Sequence, residues 1–444
     1  PSAADLPLNY VIKDFLVNPT DEPEDVIYTI IPVSPVGCDD GQFIEIKVTV
    51  NPTPRIFPVP GDTIQCDSSL TNIRLRSPSK FTGGEIKFRF TATSPDGITG
   101  YTPSGTNLPE GYYIKDKLIN LSDNPGNVIY TITPENPEGC TDGRSVKVKV
   151  TVNPTPRIYP LPADSEQCDS TETSIRLQSP STFTDGEMRF RLTASTAGGV
   201  TGFTPEAYDL PNNYVIQDLL INTTDSPQDV IYNITPVSPV GCNDGLSVNI
   251  KVTVNPTPRI FPVPVDTILC DSSLTRIRLR SPSSFTSGEV SFRFEAISPG
   301  GITGYTPSGA GFMNNHIIED FLVNPTDAPQ YVLYTITPSG QTGCNAGRSV
   351  SVRVTVNPTP RIFPVPENIE QCDSTSTNIL IQSPSTFTSG FVSFILTATA
   401  PAGVSGFTPF ASGLVNGTVI EDILKNSTDA PLTVNYGLTP VSGT

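Results

Sequence analysis

Apolar and polar residues alternate along this chain in short runs, and the runs return at a fixed interval. In EIKFRFTAT, residues 85–93, Ile86, Phe88, Phe90 and Ala92 fall on one side and charged or hydroxylated residues on the other. A period of two is the signature of a half-buried strand. TNIRLR (71–76), NVIYTIT (127–133) and SVKVKVTV (145–152) alternate in the same way, and GITGYTP (97–103) and YYIKDKLIN (112–120) do so more weakly. RIFPVP (55–60) reads as a short edge segment limited by its prolines. Turn-forming clusters such as SPDG, SDNPGN and NPEGCTDG separate the runs. No segment has a helical period. About seven strands in about 100 residues is the count of an immunoglobulin-like sandwich.

The interval is 102 residues. VTVNPTPRIFPVP begins at Val48 and returns, with two substitutions in one copy, at Val150, Val252 and Val354. A unit of that length can bury its own core, so the expected fold is all-β: a tandem array of Ig-like β-sandwich domains, about 102 residues each, in an extended rod. Proline cannot donate to a ladder and holds the preceding residue extended, so NPTP ends one sheet and passes the chain stiffly to the next. The expected domains are 1–52 (the C-terminal part of a repeat), 53–154, 155–256, 257–358, and 359–444 (a repeat lacking its last strand). On this phase the chain starts and stops inside repeats and reads as a window on a longer protein.

Composition narrows the function. Only 16% of residues are charged and the net charge is −17, which disfavours nucleic acid and anionic membranes as partners. No apolar run approaches the roughly 20 residues of a membrane-spanning helix. There is no Trp, and the one histidine, His316, recurs in no other repeat. Nucleophilic catalysis therefore lacks its usual base, and the acidic residues lie at strand ends and turns, so no enzyme activity is expected.

The eight cysteines form two series, Cys38, Cys140, Cys242, Cys344 and Cys66, Cys168, Cys270, Cys372. With no Cys-x-x-Cys and almost no histidine they do not resemble a zinc site, and they point to disulfides in an oxidising compartment. Two pairings lead; sequence-adjacent pairs such as Cys38–Cys66 would have to bridge two poles that a linear array holds apart, and free buried thiols are the remaining alternative. Cys66 should lie at the C-terminal pole of its domain and Cys140 at the N-terminal pole, some 35–40 Å apart on compactness scaling, whereas a disulfide needs Cα atoms within about 7 Å. That geometry favours inter-domain bridges, Cys66–Cys242 and Cys168–Cys344. If the segment before Cys66 is linker, the pairs become Cys66–Cys140, Cys168–Cys242 and Cys270–Cys344. A crosslink closing so long a loop contributes about 5 kcal/mol in the loop-entropy picture.

Other recurring residues have a chemical and a structural reading. Asp21, Asp123, Asp225, Asp327 and Asp429 sit in turns opened by Asn18, Asn120, Asn222, Asn324 and Asn426. They could hold calcium through oxygen ligands, or could serve as Asx turns, which is the favoured reading; no cofactor is expected, calcium being the one possibility. Asp39 and Asp40 form another acidic loop, but its counterpart at Cys344 has no carboxylate. Tyr28, Tyr130, Tyr232, Tyr334 and Tyr436 are candidates for a tyrosine corner or for core aromatics. Tyr101, Phe203, Tyr305 and Phe407 could form a sugar platform, though packing onto the sandwich is the better reading. Asn-x-Ser/Thr occurs at Asn120, Asn222, Asn233, Asn416 and Asn426, a weak signal in a Thr-rich chain.

VTVNPTP at a strand end, a Cys-Asp-Ser turn, a Tyr-containing strand and a Gly-Cys loop before the next VTV strand together resemble the PKD-like and Ig-like repeats of giant Bacteroidota surface proteins. The resemblance spans the whole chain. The Trp-x-Phe-Gly-Asp-Gly motif of PKD domains proper is absent, so it is to the looser PKD-like group. It implies a secreted protein of the bacterial cell surface, exported by the type IX secretion system, as in SprB-type gliding adhesins and other surface filaments. It also implies O-glycosylation at Asp-Ser/Thr-x positions, here Thr63, Ser170, Thr267 and Ser374. The expected function is a structural stalk or filament supporting adhesion or gliding motility. The expected partners are neighbouring repeats, other filament chains and surface glycans. The alternatives are glycan- or protein-binding repeats, and the accessory region of a secreted enzyme.

Overall fold

The computed structural model describes residues 3–57, 61–159, 164–262, 266–340 and 343–442. The prolines that end each RIFPVP-type segment fall partly outside these residues. The described chain is all-β, in tandem sandwiches, as the alternating pattern requires.

The second repeat represents the array. Its strands are β1 (Thr63–Cys66), β2 (Ile73–Arg74), β3 (Lys87–Thr93), β4 (Ser104–Pro109), β5 (Tyr113–Ile114), β6 (Gly126–Glu135) and β7 (Val146–Asn153). The larger sheet runs β1-β7-β6-β3-β4. All its neighbours are antiparallel except β1 and β7, which are parallel in the register Thr63↔Val150 to Cys66↔Asn153. The smaller sheet pairs β2 with β5 and is extended by the bridges Leu70↔Lys117 and Thr99↔Ile119. The amide of Phe57 donates to Arg76 O at 3.0 Å, so the segment after NPTP lies along the edge of this smaller sheet.

The core lies between the sheets and comes from the predicted alternation. Ile86, Phe88, Phe90 and Ala92 are buried, as are Val128, Tyr130 and Ile132 and then Val148, Val150 and Val152. Cross-strand register places Ala92 beside Tyr130 and Tyr130 beside Val148, so one buried row crosses three strands. Equivalent clusters fill the third and fourth repeats. The chain leaves one core at Val152 and joins the next at Ile158.

Two strand assignments need correction. Residues 97–103 contribute only the isolated bridge at Thr99, while 104–109, which has no clear alternation, forms the edge strand β4. The phrase TGYTP instead makes a tight corner. Gly100 has φ +83°, and a Cβ there would come within 2.1 Å of Lys117 O; the same approach recurs at Gly202, Gly304 and Gly406. Glycine is needed because the backbone is both left-handed and in close contact.

Candidate functional site at the inter-repeat joint

Each joint is built from short-range turn chemistry. In the turn after β5, Asn120 Oδ1 accepts from Ser122 N at 2.9 Å, and Asn120 Nδ2 donates to Asn124 O and Val152 O at 2.9 and 2.7 Å. This Asx turn ties the loop to β7 and fixes where Asp123 projects. The Asp123 carbonyl then accepts Thr182 N of the third repeat at 2.8 Å, and its carboxylate takes Arg157 Nε at 2.8 Å. The same backbone bond, also 2.8 Å, joins Asp21 to Lys80, Asp225 to Ser284 and Asp327 to Thr386. Arg55, Arg259 and Arg361 ion-pair with Asp21, Asp225 and Asp327. At every joint the aspartate weighed as a calcium ligand is thus held by an arginine of the next repeat. Asp429, in the last turn, is exposed. No group of three or more metal-ligating side chains occurs among the described residues.

The linker is held as firmly as the turn. Asn153 is fully buried; its Nδ2 donates to Thr184 Oγ1 at 3.0 Å and its Oδ1 accepts Thr184 N at 2.9 Å. Asn51 with Thr82, Asn255 with Thr286 and Asn357 with Thr388 repeat the pair. One step on, Thr155 Oγ1 donates to Asp67 Oδ2 at 2.8 Å, and Asp67 Oδ1 accepts Asn120 N at 2.7 Å. The linker carbonyl of Pro54 lies under Gly143, where a Cβ would approach it to 1.8 Å. NPTP is therefore packed between the two repeats it joins, which explains why Asn, Thr and the loop glycine recur with it.

Two disulfides cross joints. Cys66 bonds Cys242 and Cys168 bonds Cys344, each with Cα atoms 5.4 Å apart and a sequence separation of 176. Each runs from the end of one repeat's first parallel strand to the loop before the next repeat's last strand. The pairings within a repeat, Cys66–Cys140, Cys168–Cys242 and Cys270–Cys344, do not form. Cys66 stands in register with Asn153, the last residue of β7, whereas Cys140 precedes Val146, its first. Eight extended residues put roughly 25 Å between those positions. Cys168 and Cys270 face Asn255 and Asn357 in the same way. Cys38, Cys140, Cys270 and Cys372 are exposed free thiols.

Within each repeat the sequence contains a polar centre that its pattern does not announce. Tyr130 Oη donates to Asp116 Oδ2 at 2.6 Å, and Thr102 donates to Asp116 through both N (3.0 Å) and Oγ1 (2.7 Å). Tyr232–Asp218–Thr204, Tyr334–Asp320–Thr306 and Tyr436–Asp422–Thr408 repeat it. Tyr28 donates to Asp14. Burial, reinforced by the aspartate, pushes the Tyr130, Tyr232 and Tyr334 hydroxyls far above the usual phenol range. The tyrosine is a core aromatic, but its hydroxyl bonds an upstream side chain and not the backbone bond of a tyrosine corner.

The remaining candidates take structural places. Tyr101, Phe203 and Tyr305 pack against their cores, and Phe407 is half-buried, so these rings form no open platform. Asn120 and Asn222 are buried with their amides engaged in the turns. Asn233 bonds Asn249, Asn416 accepts Ser383 N, and Asn426 donates to Ala430 O. Thr63 and Thr267 are half-buried at the start of parallel edge strands. Ser170 and Ser374 are exposed in left-handed turns, with φ of 59° and 63°. Asp39 and Asp40 are exposed.

Residues 8–54, 63–156, 165–258 and 269–360 match the family model described as the PKD-like domain. No curated protein matches the chain. Among solved structures, a protocadherin gammaB7 EC3-6 cis-dimer structure aligns with 87% of this chain and 100% of its own, at 13% identity and TM-score 0.32. Mouse cadherin-23 EC22-24 aligns with 70% of this chain and 100% of its own, at 12% identity and TM-score 0.33. A three-immunoglobulin-domain structure of titin aligns with 68% and 98%, at 11% identity and TM-score 0.33.

Proposed function

The chain belongs to the PKD-like domain family, and from that premise we propose that it is a stretch of non-catalytic stalk that carries load and sets distance. The observation that carries this reading is the joint. The Asp carbonyl bond, the Asp–Arg pair and the Asn–Thr pair recur at all four joints, and disulfides reinforce two of them. A string of independent binding modules has no need of such fixed neighbours. Inter-domain contacts within a chain are by default mobile, and these are built against that default.

Bridges between repeats support an oxidising location, outside the cytoplasm. The acidic surface, with a net charge of −17, supports a rod that resists self-association. In its finer form the proposal is a stalk or filament of a large adhesin on the bacterial cell surface, exported by the type IX route and serving adhesion or gliding motility. The four aspartates engaged by arginine support a joint that needs no calcium. Ser170 and Ser374, exposed at the poles, are better placed for O-glycosylation than the strand-bound Thr63 and Thr267.

Negative-stain imaging of the full chain tests the stalk. Straight rods with a regular axial repeat are expected; beads joined at freely varying angles would overturn it. Glycan-array binding by the full chain would instead favour binding repeats, a reading weakened by the packing of Tyr101, Phe203 and Tyr305 onto their cores. Imaging of the native surface for filaments tests the finer form.

A further inference from the structure

The two disulfides are interlaced: in chain order the residues run Cys66, Cys168, Cys242, Cys344, and the bonds join the first to the third and the second to the fourth. Each bond fuses two chain positions into one covalent node. Three chain segments then connect the same two nodes. They run from 66 to 168, from 168 to 242 and from 242 to 344, and contain 102, 74 and 102 residues. We propose that this interlacing makes the array a redundant tether with a thiol-gated reserve of length.

The arithmetic follows from connectivity alone. With both bonds closed, nodes at Cys66 and Cys344 can separate no further than the shortest segment, 74 residues, even if every repeat between them unfolds. With either bond open, the limit is 102 residues. With both open it is the whole 278 residues. The first bond lost thus releases 28 residues and the second 176. At about 3.4 Å per extended residue these are about 100 Å and about 600 Å. Bridges in separate repeats would not behave so, because each would release only its own loop. Interlacing lets one bond fail with little lengthening of the tether.

All four bridged cysteines are half-buried, so a small dithiol can reach them. A thiolate attacks one sulfur, forming a mixed disulfide and expelling a cysteine thiolate. The reagent's second thiol then displaces the other cysteine. The reagent leaves as a cyclic disulfide, two electrons pass to the protein, and two cysteine thiols result. The device rests on the bonds and holds whether or not the array serves as a stalk.

Single-molecule stretching of the full chain through its termini tests it. The fully unfolded contour of the oxidised chain should be about 700 Å shorter than in dithiothreitol. Cys66→Ser should lengthen the oxidised chain by only about 100 Å, and Cys66→Ser with Cys168→Ser by the full amount. Should the variants fail to fold, limiting dithiothreitol on the unsubstituted chain should give two steps, about 100 Å and then about 600 Å. Equal contours with and without reductant would overturn the proposal. So would a gain of about 250 Å for Cys66→Ser, the length of a loop closed within one repeat. Rods that bend freely in images, with the contours as stated, would sink the stalk and leave this inference standing.

Discussion

Asp218 is an acid in the wall of a hydrophobic core, and it is tolerable there because three donors point at it. They are the Tyr232 hydroxyl at 2.7 Å, Thr204 N at 2.8 Å and Thr204 Oγ1 at 2.7 Å. Tyr232→Phe removes one donor and leaves the carboxylate short of a partner, at a cost of about 1–3 kcal/mol. Hydrogen exchange of the full chain should report it as faster opening of peptides from Gln228–Val237, with the other repeats unchanged. The same tyrosine gives an alkaline limit. Burial and then the Asp218 bond raise its ionisation above that of the unfolded chain, so its contribution is complete below about pH 10 and is lost as pH climbs beyond. Exchange in that strand should accelerate above pH 10 after correction for intrinsic rate, and less steeply in the Phe variant. Alternation alone brings Tyr232 to the core. Its partner was not identified from the sequence, although Ile216, Asp218 and Leu220 alternate inward and the acid recurs at Asp14, Asp116, Asp320 and Asp422. The signal is an acid on an apolar face at a constant spacing, and only the fold shows which hydroxyl meets it.

At the scale of the strand and its joint, two contacts of similar appearance differ in weight. Asp123–Arg157 is an exposed pair, the arginine side chain 48% accessible, and such pairs contribute about 0–1 kcal/mol. Asn153 is buried, with an acceptor and a donor both satisfied by Thr184. Asn153→Ala strands the Thr184 amide and should cost about 1–3 kcal/mol in docking of the two repeats. Small-angle scattering of the full chain should broaden for Asn153→Ala and barely change for Arg157→Ala or in high salt. Calcium chelation should leave scattering and melting unaltered, because the carboxylates at the joints already face guanidinium groups; a drop in melting temperature with chelator would restore the metal reading. Strands 85–93 and 145–152 were plain in the sequence because their inner faces are uniformly apolar. Strand Ser104–Pro109 was not, because it is an edge whose backbone pairing sets its place. There Gly105 meets the Phe90 ring so closely that a Cβ would stand 2.5 Å from it.

Across the whole molecule the disulfides do a different task from those of a small secreted domain. A bridge inside a domain stabilises its fold, and its removal typically costs 2–5 kcal/mol. Here every bond joins two repeats, and each complete repeat has a core of its own, from Ile56 to Val152 in the second and from Ile158 to Val254 in the third. The periodic cysteines were evident from the sequence, and the pole-to-pole distance already favoured bridging between repeats. The register of Cys66 against Asn153 supplies the missing fact, by showing at which end of the last strand the sulfur stands. Reduction should therefore leave the β-sheet circular dichroism of the full chain and the exchange protection of Gly126–Glu135 and Gln228–Val237 nearly unchanged. Under the same conditions scattering should report wider angular freedom at the joints that Cys66–Cys242 and Cys168–Cys344 cross. If reduction instead melts whole repeats, the bonds are supporting the sandwiches and not the passages between them. The hydrogen-bonded joint around Asn153 and Asp123 sets a bound on the loosening. It should be smaller than that of a chain carrying Asn153→Ala as well, because a packed linker and a covalent bridge restrain the same rotation by independent means.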